Sequence, residues 1–162
     1  MRRKAVAENG PSSGYQPTLS PEQASGGAPS PASDVYSLGV ILYQMLTGRF
    51  PYEVAGSFHD VLERIMKAVP TRPRTLRAEI DDEVETIVLK CLSKESDRRY
   101  QSAGELARDI GHYLVGEPIE AKRDSTLYVL RKSLYRYRTL VGTGAAIVLI
   151  LIGALALSLT LW

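Results

Sequence analysis

Between Ser33 and Tyr52 the chain reads SDVYSLGVILYQMLTGRFPY, and no other stretch limits the possible folds so tightly. Val35, Tyr36, Leu38, Val40, Ile41, Leu42, Tyr43, Met45 and Leu46 spread apolar surface nearly all the way round a helix of about three turns. A helix without a polar face predicts burial on every side, in the middle of a core and not at its edge. Ser33 and Asp34 are placed to cap its first turn, Gly48 to end it after Thr47, and Pro51 to stop a restart.

The chain after this helix keeps a helical period. Ser57 with Asp60 forms a capping pair ahead of the stripe Phe58, Val61, Leu62, Ile65 and Met66. Pro70 and Pro73 mark a connection in which Arg72, Arg74 and Arg77 read as a solvated loop. Asp82 with Glu85 opens the next helix, whose buried face carries Val84, Ile87, Val88, Cys91 and Leu92. Lys94 to Tyr100 is a polar turn that presents Arg99. Ser102 and Glu105 make a further capping box before Leu106, Ile110, Tyr113 and Leu114, and Gly116 with Pro118 ends that helix. Met1 to Ala32 differs: fourteen of its thirty-two residues are Gly, Pro or Ser, which predicts loop.

Several chemistries find no support in the residues. The single cysteine, Cys91, excludes an internal disulfide framework and reads as a small buried apolar residue. His59 and His112 stand apart without a cysteine or carboxylate constellation, so no metal site is expected. Met1-Arg2-Arg3-Lys4 is basic, but no apolar run follows it as in a secretory signal, and without interleaved aromatics it does not read as a nucleic-acid arm.

SDVYSLGVILYQMLTGRFPY resembles the central helix of the large lobe of serine/threonine protein kinases. Ser20-Pro21-Glu22 is similar to the Ala-Pro-Glu that closes the family's activation segment, and VETIVLKCLSKESDRRYQSAGELA, Val84 to Ala107, is similar to the late helices of the same lobe. The three matches occur in the family's order and cover roughly Gly14 to Leu114. The resemblance implies structural roles for Glu22, Asp34 and Arg99, with Arg99 pairing to Glu22. Removing either end of that pair is expected to cost a comparable amount of stability. Where the family reads Gly-Thr-x-x-Tyr-Met, this chain has Gly14-Tyr15-Gln16-Pro17-Thr18-Leu19, a departure in the loop that faces the substrate.

Phosphoryl transfer depends on positioning and charge neutralisation: a glycine-rich cover, a lysine paired to a helix glutamate, a catalytic aspartate and magnesium ligands. No Gly-x-Gly-x-x-Gly, His-Arg-Asp or Asp-Phe-Gly occurs in the 162 residues. No catalytic, cofactor-binding or metal-binding residue is therefore assigned; ATP and magnesium are implied only for an intact parent kinase. Asp34, which in the family braces the catalytic loop, lacks that loop and is expected to face its own helix N-terminus or water.

From Lys122 to Arg138 six basic residues, Lys122, Arg123, Arg131, Lys132, Arg136 and Arg138, stand against Asp124 alone. Leu127, Leu130, Leu134 and Tyr137 share a helical face beside them, the pattern of a basic helix against anionic lipid. Thr139 to Trp162 holds 24 residues without a charge. That is about 36 Å of helix against a hydrocarbon core of about 30 Å, and predicts a transmembrane helix with the positive flank, and so Met1 to Arg138, in the cytoplasm.

The expected fold class is mainly α, a partial kinase large lobe followed by one transmembrane helix. The expected divisions are a leader over residues 1–32, the helical fragment 33–116, a basic juxtamembrane segment 117–138 and the membrane helix 139–162. Two functional readings follow. One is a truncated membrane-anchored serine/threonine kinase; the other is a non-catalytic, tail-anchored module that binds a protein partner through its kinase-like helices. Membrane lipid is an expected partner under both, and nucleic acid under neither.

Overall fold

Proline at a first helical position forfeits no hydrogen bond, so Pro21, Pro31 and Pro73 are natural helix starts. All three are used. The computed structural model describes residues 18–123, 125–128, 130 and 132. These contain α1 (Pro21–Ala24), α2 (Pro31–Thr47), α3 (Phe58–Lys67), α4 (Pro73–Leu76), α5 (Asp82–Cys91) and α6 (Ala103–Leu114), and no strand among them. The described residues divide into two compact units, which meet in sequence between Ala107 and Arg108.

In the first unit α2 is the central element, contacted by both α4 and α5. Its cap is Ser30, not the expected Ser33 and Asp34. The Ser30 hydroxyl accepts the Ser33 N–H while the Ser33 hydroxyl accepts the Ser30 N–H, a reciprocal box three residues upstream of the expected start. Asp34 lies in the first turn, exposed, where its charge complements the helix dipole. Gly48 adopts φ 71°, closing the helix in the left-handed conformation that costs glycine least.

The expectation of burial all round α2 is corrected. Val35, Tyr36, Val40 and Tyr43 are buried, but Leu38 is 38%, Ile41 44% and Met45 75% exposed. The core of Tyr36, Val40, Tyr43, Val88 and Leu92 lies on one face only, and no described residue buries the other.

The remaining helices of this unit follow local rules with three departures. Ser20 and Gln23 cap α1 reciprocally, so a helix occupies four residues of a stretch read as loop. Ser57 and Asp60 form the expected box at α3, with Val61 and Ile65 buried and Phe58 exposed. At α5 the cap is Asp81, whose carboxylate accepts the Glu83 N–H at 2.7 Å; the expected pair of Asp82 and Glu85 does not form because Glu85 turns inward. The box before α6 is half made: Ser102 accepts the Glu105 N–H, but the Glu105 carboxylate takes the Gln101 N–H.

In the second unit Gly116, at φ 73°, ends α6, and the Glu117 N–H returns to the His112 carbonyl at 2.8 Å. Asp109, fully buried, accepts the Glu120 and Ala121 N–H groups at 2.5 and 3.0 Å. The neighbouring Ile119 N–H donates to the Tyr128 hydroxyl at 3.1 Å. Among the described residues no helix is long and apolar enough to cross a membrane. The expected span Thr139 to Trp162, the loop residues Gly14 to Pro17, and Arg131, Arg136 and Arg138 lie outside the described residues.

Gly39 sets the spacing of α2 and α5. A methyl group there would meet the Cys91 Cβ at 2.5 Å, closer than carbon atoms tolerate. Gly to Ala inside a helix ordinarily stabilises by about 0.5–1 kcal/mol. Here we expect Gly39→Ala to destabilise by about 1–3 kcal/mol, because two helices must separate. Chemical denaturation of the two proteins gives the sign directly.

Candidate functional site

An arginine has five N–H donors in a rigid fork, so burying one demands a full set of acceptors. Arg99, 2% exposed, has them. Its Nε donates to the Ser93 carbonyl at 2.7 Å, Nη1 to the Ala32 carbonyl at 3.1 Å, and Nη2 to the Lys94 carbonyl at 2.9 Å. Nη1 and Nη2 also grip the two carboxylate oxygens of Glu22, each at 2.8 Å. The guanidinium stacks 5.0 Å from the centre of the Tyr36 ring. The Ser33 hydroxyl, which accepts the Ser30 N–H in the capping box, donates to Glu22 at 2.6 Å. Glu22 is thus held by α1, by the first turn of α2 and by the segment before α6. Of the three family positions, the structure joins Glu22 and Arg99 and leaves Asp34 apart in solvent.

Beside this pair sits a cluster the sequence reading missed. Lys94 extends inward, donating to the Tyr52 hydroxyl at 2.7 Å and to the Ile65 carbonyl at 2.5 Å, with its ammonium 4.0 Å from the centre of the Tyr52 ring. The Tyr36 hydroxyl donates to that of Tyr52 at 3.2 Å. Two tyrosines on and just after an apolar helix were the available signal, since buried phenols need polar partners.

The electrostatics follow from these contacts. The Arg99 guanidinium, helped by the Ser33 hydroxyl against the opposing effect of burial, holds the Glu22 carboxyl down at about 2. Burial, reinforced by the Arg99 charge, lowers Lys94 to about 8. Burial raises both Tyr36 and Tyr52 above the ordinary phenol value.

The loop arginines are more constrained than expected. Arg72 lies 3.6 Å from the buried Glu85 carboxylate, which also accepts the Arg74 N–H at 2.9 Å and so fastens α4 to α5. Arg74 pairs with Asp82, and Arg77 donates to the Leu46 carbonyl. All three side chains remain largely in solvent. Of the basic residues between Lys122 and Arg138, Arg123 pairs with Glu120 at 2.7 Å, and the ammonium groups of Lys122 and Lys132 lie 5.6 and 5.7 Å from the centre of the Tyr128 ring. Among the described residues no three His, Cys, Asp or Glu side chains converge into a group that would hold a metal.

A carboxylate gripped in fork geometry between an early short helix and the turn before a late helix, over a central helix ended by glycine, is a bracket that ties distant segments of one lobe. The match to the protein kinase domain model extends over residues 12–109, and this chain belongs to that family. It is 44% identical over 103 residues to a probable serine/threonine-protein kinase of Streptomyces coelicolor, covering 64% of this chain and 15% of that one. It is 38% identical over 105 residues to serine/threonine-protein kinase PknB of Mycobacterium tuberculosis, covering 65% and 17% respectively. To serine/threonine-protein kinase PrkC of Bacillus subtilis it is 33% identical over 105 residues, covering 65% and 16%. The chain thus spans about a sixth of the length of these relatives.

Glu22→Ala and Arg99→Ala should each destabilise the first unit by about 3–5 kcal/mol, with the double variant losing far less than the sum. Additive losses in denaturant melts would show that the pair is not coupled. Glu22 has a lowered folded value, so its contribution is full above 4.5 and disappears as pH falls towards 2; Glu22→Gln should remove that part of the acid transition. Lys94 has the opposite sign. The unfolded chain holds its proton up to about 10.5 and the folded one only to about 8, so stability should rise from pH 8 to 10, before the buried tyrosines reverse the slope. Lys94→Met should flatten that rise.

Proposed function

We propose that this chain is a late part of the large lobe of a membrane-anchored serine/threonine kinase, whose intact form transfers phosphate from ATP to serine or threonine of a protein. The observation that carries the reading is the stripe Leu38, Ile41 and Met45 on α2, apolar and exposed on a helix whose other face is core. Leu38 and Ile41 are already more than half buried, so covering what the three still expose stabilises by roughly 0.5–2 kcal/mol each, which favours further protein against this face. The similar proteins are serine/threonine kinases, which supports the reaction class, and no glycine-rich, His-Arg-Asp or Asp-Phe-Gly motif occurs in these 162 residues, which supports chemistry carried by other parts of an intact kinase. The uncharged run Thr139 to Trp162 and the basic residues before it support an anchor with the kinase-like helices in the cytoplasm. A second reading rests on the same stripe: a non-catalytic module in which a different protein covers it.

An antibody against Ser57 to Ala68, used on native membrane fractions, separates the two. A band well above 17.8 kDa supports the first reading, and a band at 17.8 kDa supports the second. The purified chain should show no ATP-dependent phosphoryl transfer; transfer abolished by a substitution within it would overturn both.

A further inference from the structure

A lysine amine drawn inward and only partly charged has chemistry open to it beyond holding two segments together. The Lys94 backbone is fixed, since its carbonyl accepts an Arg99 Nη2 proton at 2.9 Å. From there the side chain runs to a carbonyl of α3 and to a phenol just after α2. Ile65 lies in the last turn of α3, where carbonyls lack a partner within the helix. One Nζ proton satisfies that carbonyl, and a second goes to the Tyr52 hydroxyl at 2.7 Å. The Tyr52 oxygen also accepts the Tyr36 proton at 3.2 Å, and no described residue accepts the proton of Tyr52 itself. The cluster thus positions an amine and keeps one unspent O–H donor beside it.

Nucleophilic chemistry at such an amine needs its lone pair. Burial and the Arg99 charge hold Lys94 at about 8, so it is partly neutral near pH 7, whereas a lysine at 10.5 is almost wholly charged there. The electrophile is selected by size and by charge. Lys94 and Tyr52 are both only partly exposed, which favours a triatomic molecule over a bulky acyl donor. Addition of carbon dioxide turns a cation into an anion, and of the Glu22–Arg99 pair it is Arg99 whose charge acts on Lys94. A repulsion is thereby replaced by an attraction. The hydrogen-bond set closes as well: the adduct keeps one N–H for the Ile65 carbonyl, and its oxygens accept the unspent Tyr52 proton.

We propose that Lys94 is a carbon dioxide site, its Nζ forming a carbamate held by the Ile65 carbonyl, the Tyr52 hydroxyl and the Arg99 charge. The nitrogen lone pair makes the new N–C bond, one C=O electron pair moves onto oxygen, and a proton leaves the nitrogen for solvent, so neither oxidant nor reductant is needed. The site lies wholly within the first unit and holds under either reading of the whole protein.

The test uses the full folded chain in phosphatidylcholine nanodiscs near pH 8, equilibrated with isotopically labelled bicarbonate. Triethyloxonium converts carbamates to stable ethyl esters, and peptide mapping by mass spectrometry locates them. The α-amino group of Met1, a ready carbamate former, is the positive control. Lys67, its side chain 72% exposed and paired with Glu63, is the internal comparison. Trapped occupancy at Lys94 is expected to be at least about tenfold that at Lys67, and unfolding in urea should erase the difference. In Tyr52→Phe the pH profile of occupancy separates the ionisation of the amine from its affinity for carbon dioxide. That affinity should fall about tenfold, as for one hydrogen bond to a charged group. Absence of the adduct at Lys94 in the folded wild type, occupancy equal to that at Lys67, or a difference that survives urea overturns the proposal. Unchanged affinity in Tyr52→Phe overturns the role of that hydroxyl.

Discussion

Segments of the first unit that lie far apart in sequence, α1, the start of α2 and the turn before α6, meet at the Arg99 guanidinium. A fully buried cation is tolerable only if every donor is met and a counter-charge is at hand. Glu22 supplies the charge, and the carbonyls of Ala32, Ser93 and Lys94 supply the rest. That requirement fixes α1 relative to α2 and fixes the turn before α6 relative to both. It also explains the position of Ser33, whose hydroxyl shares the Glu22 carboxylate with the guanidinium. The pair that the family resemblance implied is therefore joined in the structure, which fits a structural role for it.

The second constraint is the close approach at Gly39. With no side chain at that point, α5 lies against α2, and Val88 and Leu92 join Tyr36, Val40 and Tyr43 in one core. The consequence is one-sided packing: a helix with apolar residues on every face spends one face on α5 and α4 and leaves Leu38, Ile41 and Met45 in water. Isolated exposed apolar residues are unremarkable, but three on one helix that is otherwise core are not.

Much of this was legible in the residues. Gly48, Ser57 with Asp60, and Gly116 act locally, and local rules placed them. The identity of Arg99 and Glu22 as partners came from resemblance, since 77 positions separate them and no periodic pattern reports such a contact. The start of α2 was misplaced because Ser33 and Ser30 are equally good caps in isolation; Pro31 decides between them by favouring the first helical position. Glu85 was read as a cap because its spacing from Asp82 allows it, whereas the tertiary demand of the Arg74 N–H turned it inward. The inward course of Lys94 was invisible, because it depends on which surfaces meet and not on the order of residues. The exposure of one α2 face was hidden for a related reason: hydrophobicity reports that a face wants cover, not whether cover is present.

In the second unit, three successive amides are each tied to a side chain: Ile119 to Tyr128, and Glu120 and Ala121 to Asp109. A connection of this kind has no slack. Tension applied along the chain from the Tyr128 side has little loop to straighten, since the backbone is anchored at consecutive residues; it is shared between the Tyr128 hydroxyl on Ile119 and the buried Asp109 carboxylate. Asp109 is in that sense the mechanical terminus of the segment, the point at which a pull becomes a broken hydrogen bond.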